Sequence, residues 1–221
     1  MHVFDIIGPV MIGPSSSHTA GAVRLGNVAH AMLKEPPVRG VITLCGSFAK
    51  TGRGHGTDRA LTAGIMGMRP DDTRIRDSLR LAQEQGFAVS FCREERDGVH
   101  PNTAILQVEG ASGRTVTVEG ASIGGGSICV TKLNGMPVEI SGESTTVLVL
   151  HEDVPGVIAA VTNFLAACGL NIAAFRMSHH EKGELALMSI ELDGDAPDSL
   201  CQSVENFANV RSCTLLHALA R

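Results

Sequence analysis

From residue 145 onward the chain alternates between a two-residue and a 3.6-residue apolar period in the order strand, helix, strand, strand, helix, strand, and this order constrains its fold more than any other feature. Residues 145–150 are β-branched and apolar. Val157, Val161, Phe164, Leu165 and Cys168 then form one stripe of a helix that Gly169 is suited to end. Residues 172–177 and 185–192 are expected to pair across the polar turn from His179 to Glu184. A helix over 198–207 and a strand over 210–216 complete a βαββαβ unit.

The residues before it read as mixed α and β. A helix is expected from about His18 to Leu33, ending before Pro36-Pro37, with a strand at 41–45. Asp72-Thr73 caps a helix bearing Ile75, Leu79 and Ala82 on one face, and Phe87, Val89 and Phe91 alternate as in a half-buried strand. Strands at 128–133 and 136–140 flank Asn134-Gly135, a strong hairpin signal, and Gly124-Gly125-Gly126 ahead of them gives a bulge or a tight ligand contact. A seam of small and polar residues at Ser141-Gly142-Glu143-Ser144 divides the chain into domains 1–141 and 145–221, an α/β (α+β) arrangement overall.

With 221 residues, 43% of them hydrophobic, the chain can bury ordinary cores. A net charge of -5 without any basic cluster argues against nucleic acid, and the absence of Tyr and Trp removes the usual stacking platforms. No apolar run approaches the roughly 20 residues that span a bilayer, and the start lacks a basic signal-peptide region, so no membrane association and a cytoplasmic location are expected. The six cysteines form no C-x-x-C pair and read as reduced, buried side chains, with no metal site on this chain.

Three segments carry candidate chemistry. In Gly13-Pro14-Ser15-Ser16-Ser17-His18-Thr19-Ala20-Gly21, hydroxyls and one imidazole stand at the start of a helix, where free amides and the helix dipole favour a carboxylate or phosphate. Ser17 or a neighbour can equally serve as a plain helix cap. Gly52-Arg53-Gly54-His55-Gly56-Thr57-Asp58 reads as a glycine-rich loop before a helical run at 59–66, and His100-Pro101-Asn102-Thr103 places an imidazole and an amide before a strand. At least two of these three histidines are expected to meet in one pocket. The Gly-x-x-x-x-Gly-Lys-Ser/Thr spacing of a phosphate-transfer loop is missing.

Residues 147–216, with Asp153-Val154-Pro155-Gly156 before the first helix and Gly169-Leu170-Asn171-Ile172 after it, resemble an ACT domain, a ferredoxin-like module. Pro155 fits a first helical turn, Gly156 leaves the amides open to a carboxylate, and Asp153 can attract an ammonium group, although capping alone also accounts for the motif. Phe4-Asp5-Ile6-Ile7-Gly8-Pro9-Val10 leading into the Ser-rich motif, together with the two other histidine segments and the ACT-like unit, resembles the beta subunit of the two-chain, iron-sulfur-dependent L-serine dehydratases. The resemblance implies an N-terminal domain similar to the allosteric substrate-binding domain of some phosphoglycerate dehydrogenases. It implies an alpha subunit that holds a [4Fe-4S] cluster, L-serine as substrate, and self-association through the ACT domain. Within it, His18 and His55 are the candidate catalytic residues. Ser15, Ser16, Ser17, Thr19, Gly54, Thr57, Asp58, His100, Asn102 and Thr103 are the candidate substrate or effector contacts in the first domain. Asp153, Pro155, Gly156, Asn171 and Ile172 are those in the second. The alternative is a stand-alone regulatory protein that senses amino acids or other small carboxylates.

Overall fold

The computed structural model describes residues 11–179 and 184–218. The Phe4–Val10 part of the N-terminal motif and most of the expected turn after His179 lie outside them. By their contacts the described residues form two compact units, one ending at Gly135 and one starting at Met136.

In the first unit a single π-helical turn, Ser17–Gly21, runs into α1, Ala22–Leu33. Then come β1, Pro37–Cys45, and two consecutive helices, α2, Gly46–His55, and α3, Thr57–Ile65. A 3-10 turn, Thr73–Asp77, leads into α4, Ser78–Glu84, with the Asp72 carboxylate accepting from the Arg74 amide as the expected cap. Its strands are β2, Ala88–Glu94; β3, Thr103–Gly110; β4, Thr115–Gly124; and β5, Ser127–Leu133; β6, Met136–Ile140, is the first strand after Gly135 and belongs by its contacts to the second unit. They lie in the order β2-β1-β3-β4-β5-β6, with β1 and β2 parallel and the β1–β3, β3–β4 and β4–β5 pairs antiparallel. Asn134 takes a left-handed conformation with φ 49° in the β5–β6 turn, as the hairpin signal requires. The glycine triplet turns β4 into β5 beside a register shift between Ser122 and Gly124, which answers to the bulge.

α1 packs on α3 and against β4, burying Leu25, Val28, Leu61, Ile65 and Val118. The two helices meet at glycines. A Cβ on Gly64 would lie 2.1 Å from the Val23 carbonyl oxygen, and one on Gly26 would lie 2.6 Å from that of Leu61, so neither position admits a side chain without parting the helices.

The structure departs from two expectations. The Gly52–His55 stretch is not a loop but the last turn of α2, and the break falls at Gly56, whose φ of 73° ends α2 and begins α3 two residues before the expected 59–66 run. A glycine inside a helix is tolerated at Gly52 because it packs against Thr57, whose Cβ would be 3.3 Å from an added methyl. Cys92 and Cys168 are exposed and Cys129 is half-buried, so the uniform reading of the cysteines as buried fails for half of them.

The second unit contains β7, Thr146–Glu152; α5, Val157–Ala167; β8, Ile172–His179; β9, Leu185–Leu192; α6, Ser199–Glu205; and β10, Val210–Leu216. This is the expected βαββαβ order, and the antiparallel sheet runs β10-β7-β9-β8. Its core joins Val147, Val149, Val161, Leu165, Met188 and Ile190. At the edge, β8 leaves Phe175 and Met177 each 38% exposed. Another difference concerns the Asp153–Gly156 loop: the N-cap of α5 is Gly156, with φ 98° and no side-chain cap, so Asp153 does not cap the helix and Pro155 precedes it. A left-handed N-cap fits glycine because it has no Cβ to clash.

Candidate functional site

The site grows from the turn that starts α1. The Ser15 hydroxyl accepts from the His18 amide at 3.3 Å, the Ser15 carbonyl from the Thr19 amide at 2.8 Å, and the Ser16 carbonyl from the Gly21 amide at 2.9 Å. Ser16, the residue flanking the turn, makes no side-chain cap, so capping here is the work of Ser15 rather than Ser17. The π-turn widens the backbone by one residue and directs His18 inward, where it is 8% exposed.

His18 is held on both ring nitrogens. Nδ1 lies 2.8 Å from the hydroxyl of Thr57, a fully buried side chain at the first position of α3. Nε2 has a long contact of 3.4 Å to the Ser47 hydroxyl in the first turn of α2, and the Phe48 ring meets the imidazole edge-on at 5.0 Å between centroids. Ser47 and Phe48 escaped the sequence reading. The signal was the Gly46-Ser47 pair directly after an apolar strand, which marks a helix start.

His55, at the end of α2, faces His18 with ring centroids 4.8 Å apart. Its Nδ1 stands 3.1 Å from the Thr51 carbonyl oxygen, which can only accept, so Nδ1 carries the hydrogen and the lone pair of the neutral ring sits on Nε2. The half-buried His55 thus presents a proton acceptor. His18 is disposed otherwise. Burial first, and then the charge that His55 can carry, lower its pKa below the ordinary imidazole value of 6.5. The folded chain therefore keeps His18 neutral at a pH where the unfolded chain protonates it. Below 6.5 the unfolded state takes up more protons, so the contribution of His18 to stability is present above that pH and is lost as pH falls through its folded pKa. Exchanging His55 for glutamine removes the repulsive charge, and the His18 titration followed by ring-nitrogen NMR should then move upward, towards 6.5; an unmoved titration would mean that the rings do not sense each other.

Two of the three histidine segments are thus brought together, and the third meets the site through the Pro101 carbonyl and, by way of Ser122, through Asn102. The Pro101 carbonyl accepts from the Ser47 amide at 2.6 Å and, more weakly, from that of Phe48. Asn102 donates from its side chain to the Ser122 carbonyl at 3.3 Å, while the Ser122 amide donates to the Asn102 carbonyl. Ser122 packs so closely on the π-turn that a Cβ on Gly21 would lie 2.1 Å from its hydroxyl. His100 itself is exposed, with Nδ1 accepting from the Asn102 amide, and Thr103 donates to the His100 carbonyl at 2.7 Å. The hydroxyls of Thr19 and Ser122 are buried without a hydrogen-bond partner. An added Cβ on Gly54 meets nothing within 4 Å, and Asp58 accepts from the Arg59 amide while lining an open cleft with Arg53, Phe91 and Arg93.

In the second unit the contacts of the candidate residues are local. The Asp153 amide donates to the Glu184 carbonyl at 2.9 Å, Asn171 donates to the Asp193 carboxylate at 2.5 Å, and Ile172 opens β8.

The serine dehydratase beta chain family matches residues 2–132, and the acetohydroxyacid-synthase-small-subunit-like ACT domain matches 147–212. A probable L-serine dehydratase beta chain of Bacillus subtilis is 42% identical over 212 residues, 96% of each chain. The L-serine dehydratase beta chain of Peptoniphilus asaccharolyticus is 37% identical over 91% of each. An L-serine dehydratase of Mycobacterium bovis is 33% identical over 159 residues, which is 60% of this chain but 34% of that one. The first match spans the π-turn, both facing histidines and the strand that supports them, and with near full-length relatives it places this chain in the serine dehydratase beta chain family.

Proposed function

We propose that this chain is the beta subunit of an L-serine dehydratase, a lyase that converts L-serine to pyruvate and ammonia, and that the His18–His55 pair takes part in the proton transfers of that reaction. The observation that carries this reading is the pair itself: one imidazole kept neutral by burial, the other offering a free Nε2 beside it, in a chain 42% identical to a probable L-serine dehydratase beta chain.

Deamination removes the α-proton and the β-hydroxyl of serine, leaving an aminoacrylate that hydrolyses to pyruvate and ammonia. His55 Nε2 is the group suited to accept a proton, because the Thr51 carbonyl fixes its tautomer and leaves the Nε2 lone pair facing away from that contact. The hydroxyls of Ser15, Ser16, Ser17 and Thr19 stand at the helix start, where a substrate carboxylate is favoured. Thr57 fixes the ring of His18 and does not need to touch substrate.

An iron-sulfur cluster needs several thiolates brought together. Among the described residues no three His, Cys, Asp or Glu side chains converge to hold a metal ion, so the described donors do not fit a cluster. The cluster implied by the family is assigned to a separate alpha subunit. In the Mycobacterium bovis L-serine dehydratase the matching segment is about a third of one longer chain, which supports such a division of labour. The test is reconstitution: the chain purified with its cysteine-rich partner should carry iron and sulfide and produce pyruvate from L-serine, while the isolated chain should do neither. Full turnover by the partner alone would reject a share in the active site and leave a regulatory role.

The ACT-like unit is assigned to self-association and amino-acid sensing at the Asp153–Gly156 loop, and the cytoplasm is proposed as the setting. No helix among the described residues is long and apolar enough to cross a membrane. Edge strand β8, with exposed Phe175 and Met177, is the surface suited to pairing. Phe175→Glu should shift the chain to a smaller species in sedimentation at micromolar concentration; an unchanged mass would move the interface elsewhere.

A further inference from the structure

Outside the histidine site, the second unit contains a pair of thiols that the proposed reaction does not use. Cys201 lies in α6 and Cys213 in β10, and their sulfurs are 2.8 Å apart. Sulfurs joined by a covalent bond stand about 2.05 Å apart, so less than an ångström of approach separates this pair from a disulfide. The surroundings hold the two in place. Leu200 and Val204 anchor α6 in the core, and the Glu205 carboxylate at its end accepts from the Cys213 amide at 2.8 Å, tying the helix to the strand. Cys213 is fully buried, whereas Cys201 keeps 7% of its surface exposed at the rim, so only a small oxidant reaches the pair and it reaches Cys201 first.

We propose that Cys201 and Cys213 are a redox modification site that closes to an intramolecular disulfide under peroxide. The Cys201 thiol gives up its proton, the thiolate attacks one peroxide oxygen and breaks the O–O bond, and the departing hydroxide takes that proton, leaving a sulfenic acid and one water. The Cys213 thiol then displaces the sulfenic oxygen as a second water, forming the S–S bond. In total, two thiols and one hydrogen peroxide give one disulfide and two waters, and the two electrons pass from sulfur to peroxide. The link closes a short loop across α6 and β10 and so restricts the unfolded chain more than the folded one.

The experiment uses the full chain with exposed Cys92 and Cys168 replaced by serine, which leaves four of the six cysteines. After brief treatment with hydrogen peroxide and removal of the excess, the thiols titrated in denaturant should fall from four to two. A non-reducing digest should then contain one peptide pair joined through Cys201 and Cys213, lighter by two hydrogens than the reduced pair. Reductant should restore all the thiols, and the oxidised chain should melt at a higher temperature. Cys201→Ala and Cys213→Ala should each abolish the joined pair. The proposal is overturned if the circular dichroism stays native and the 201–213 link is absent, or if the oxidised sulfurs are Cys45 and Cys129 instead. The digest of the four-cysteine chain decides the matter even if either alanine variant fails to fold.

Discussion

With His55 replaced by glutamine, the reconstituted enzyme should lose about two to four orders of magnitude in kcat, the usual worth of a positioned general acid or base. The amide keeps the size of the ring and a nitrogen able to reach the Thr51 carbonyl, but it cannot take a proton at neutral pH. KM for L-serine should change little, because the candidate carboxylate contacts, the hydroxyls of Ser15, Ser16, Ser17 and Thr19, are left in place. A His18→Gln variant separates the roles of the two rings. His18 is buried and held between Thr57 and Ser47, and its lowered pKa makes it a weak base, so its replacement should act mainly by releasing the neighbouring ring and the first turn of α2. The pH dependence of kcat/KM distinguishes them: loss of the acidic limb in the His55 variant identifies that ring as the titrating group, and a retained limb with retained kcat would remove His55 from the chemistry.

Much of this arrangement could be read from the residues, and what could not has identifiable physical causes. The βαββαβ unit was legible because each period change is sharp and Gly169 and the polar turn punctuate it. Before residue 145, α1 and the β5–β6 hairpin were legible for the same reason. β4 was not, although Val116 and Val118 alternate as a strand should. Its second half, Gly120-Ala121-Ser122, has no strand propensity of its own and is selected by the space beneath α1, where a Cβ on Gly120 would already be 2.9 Å from Leu25. α2 was hidden by its own glycines. Gly52, Gly54 and Gly56 suggest a loop, whereas the backbone stays helical to His55, with Gly52 close against Thr57. The meeting of His18 with His55 was expected from the loop chemistry, but its geometry depends on Thr57, Ser47 and Phe48, whose roles are set by tertiary contacts that no local pattern encodes.

The second large effect lies well away from the histidines. Gly64→Ala should destabilise the first unit by about 3 kcal/mol or more, at or beyond the top of the usual range for overpacking, because the clash is with backbone and no rotamer relieves it. The added Cβ would lie 2.1 Å from the Val23 carbonyl oxygen and 2.9 Å from the Gly26 Cα, so α1 and α3 must separate. The π-turn with His18 precedes α1 and Thr57 opens α3, so separation of the two helices lengthens the 2.8 Å contact that fixes the ring. The variant should therefore lose activity along with stability, whereas Gly54→Ala, whose Cβ meets nothing within 4 Å, should keep its stability. Urea unfolding followed by circular dichroism, with the 145–216 unit retaining its own transition, measures the difference. Equal stability of the two variants would show that α1 and α3 do not cross at Gly26 and Gly64, and the placement of His18 against Thr57 would lose its support.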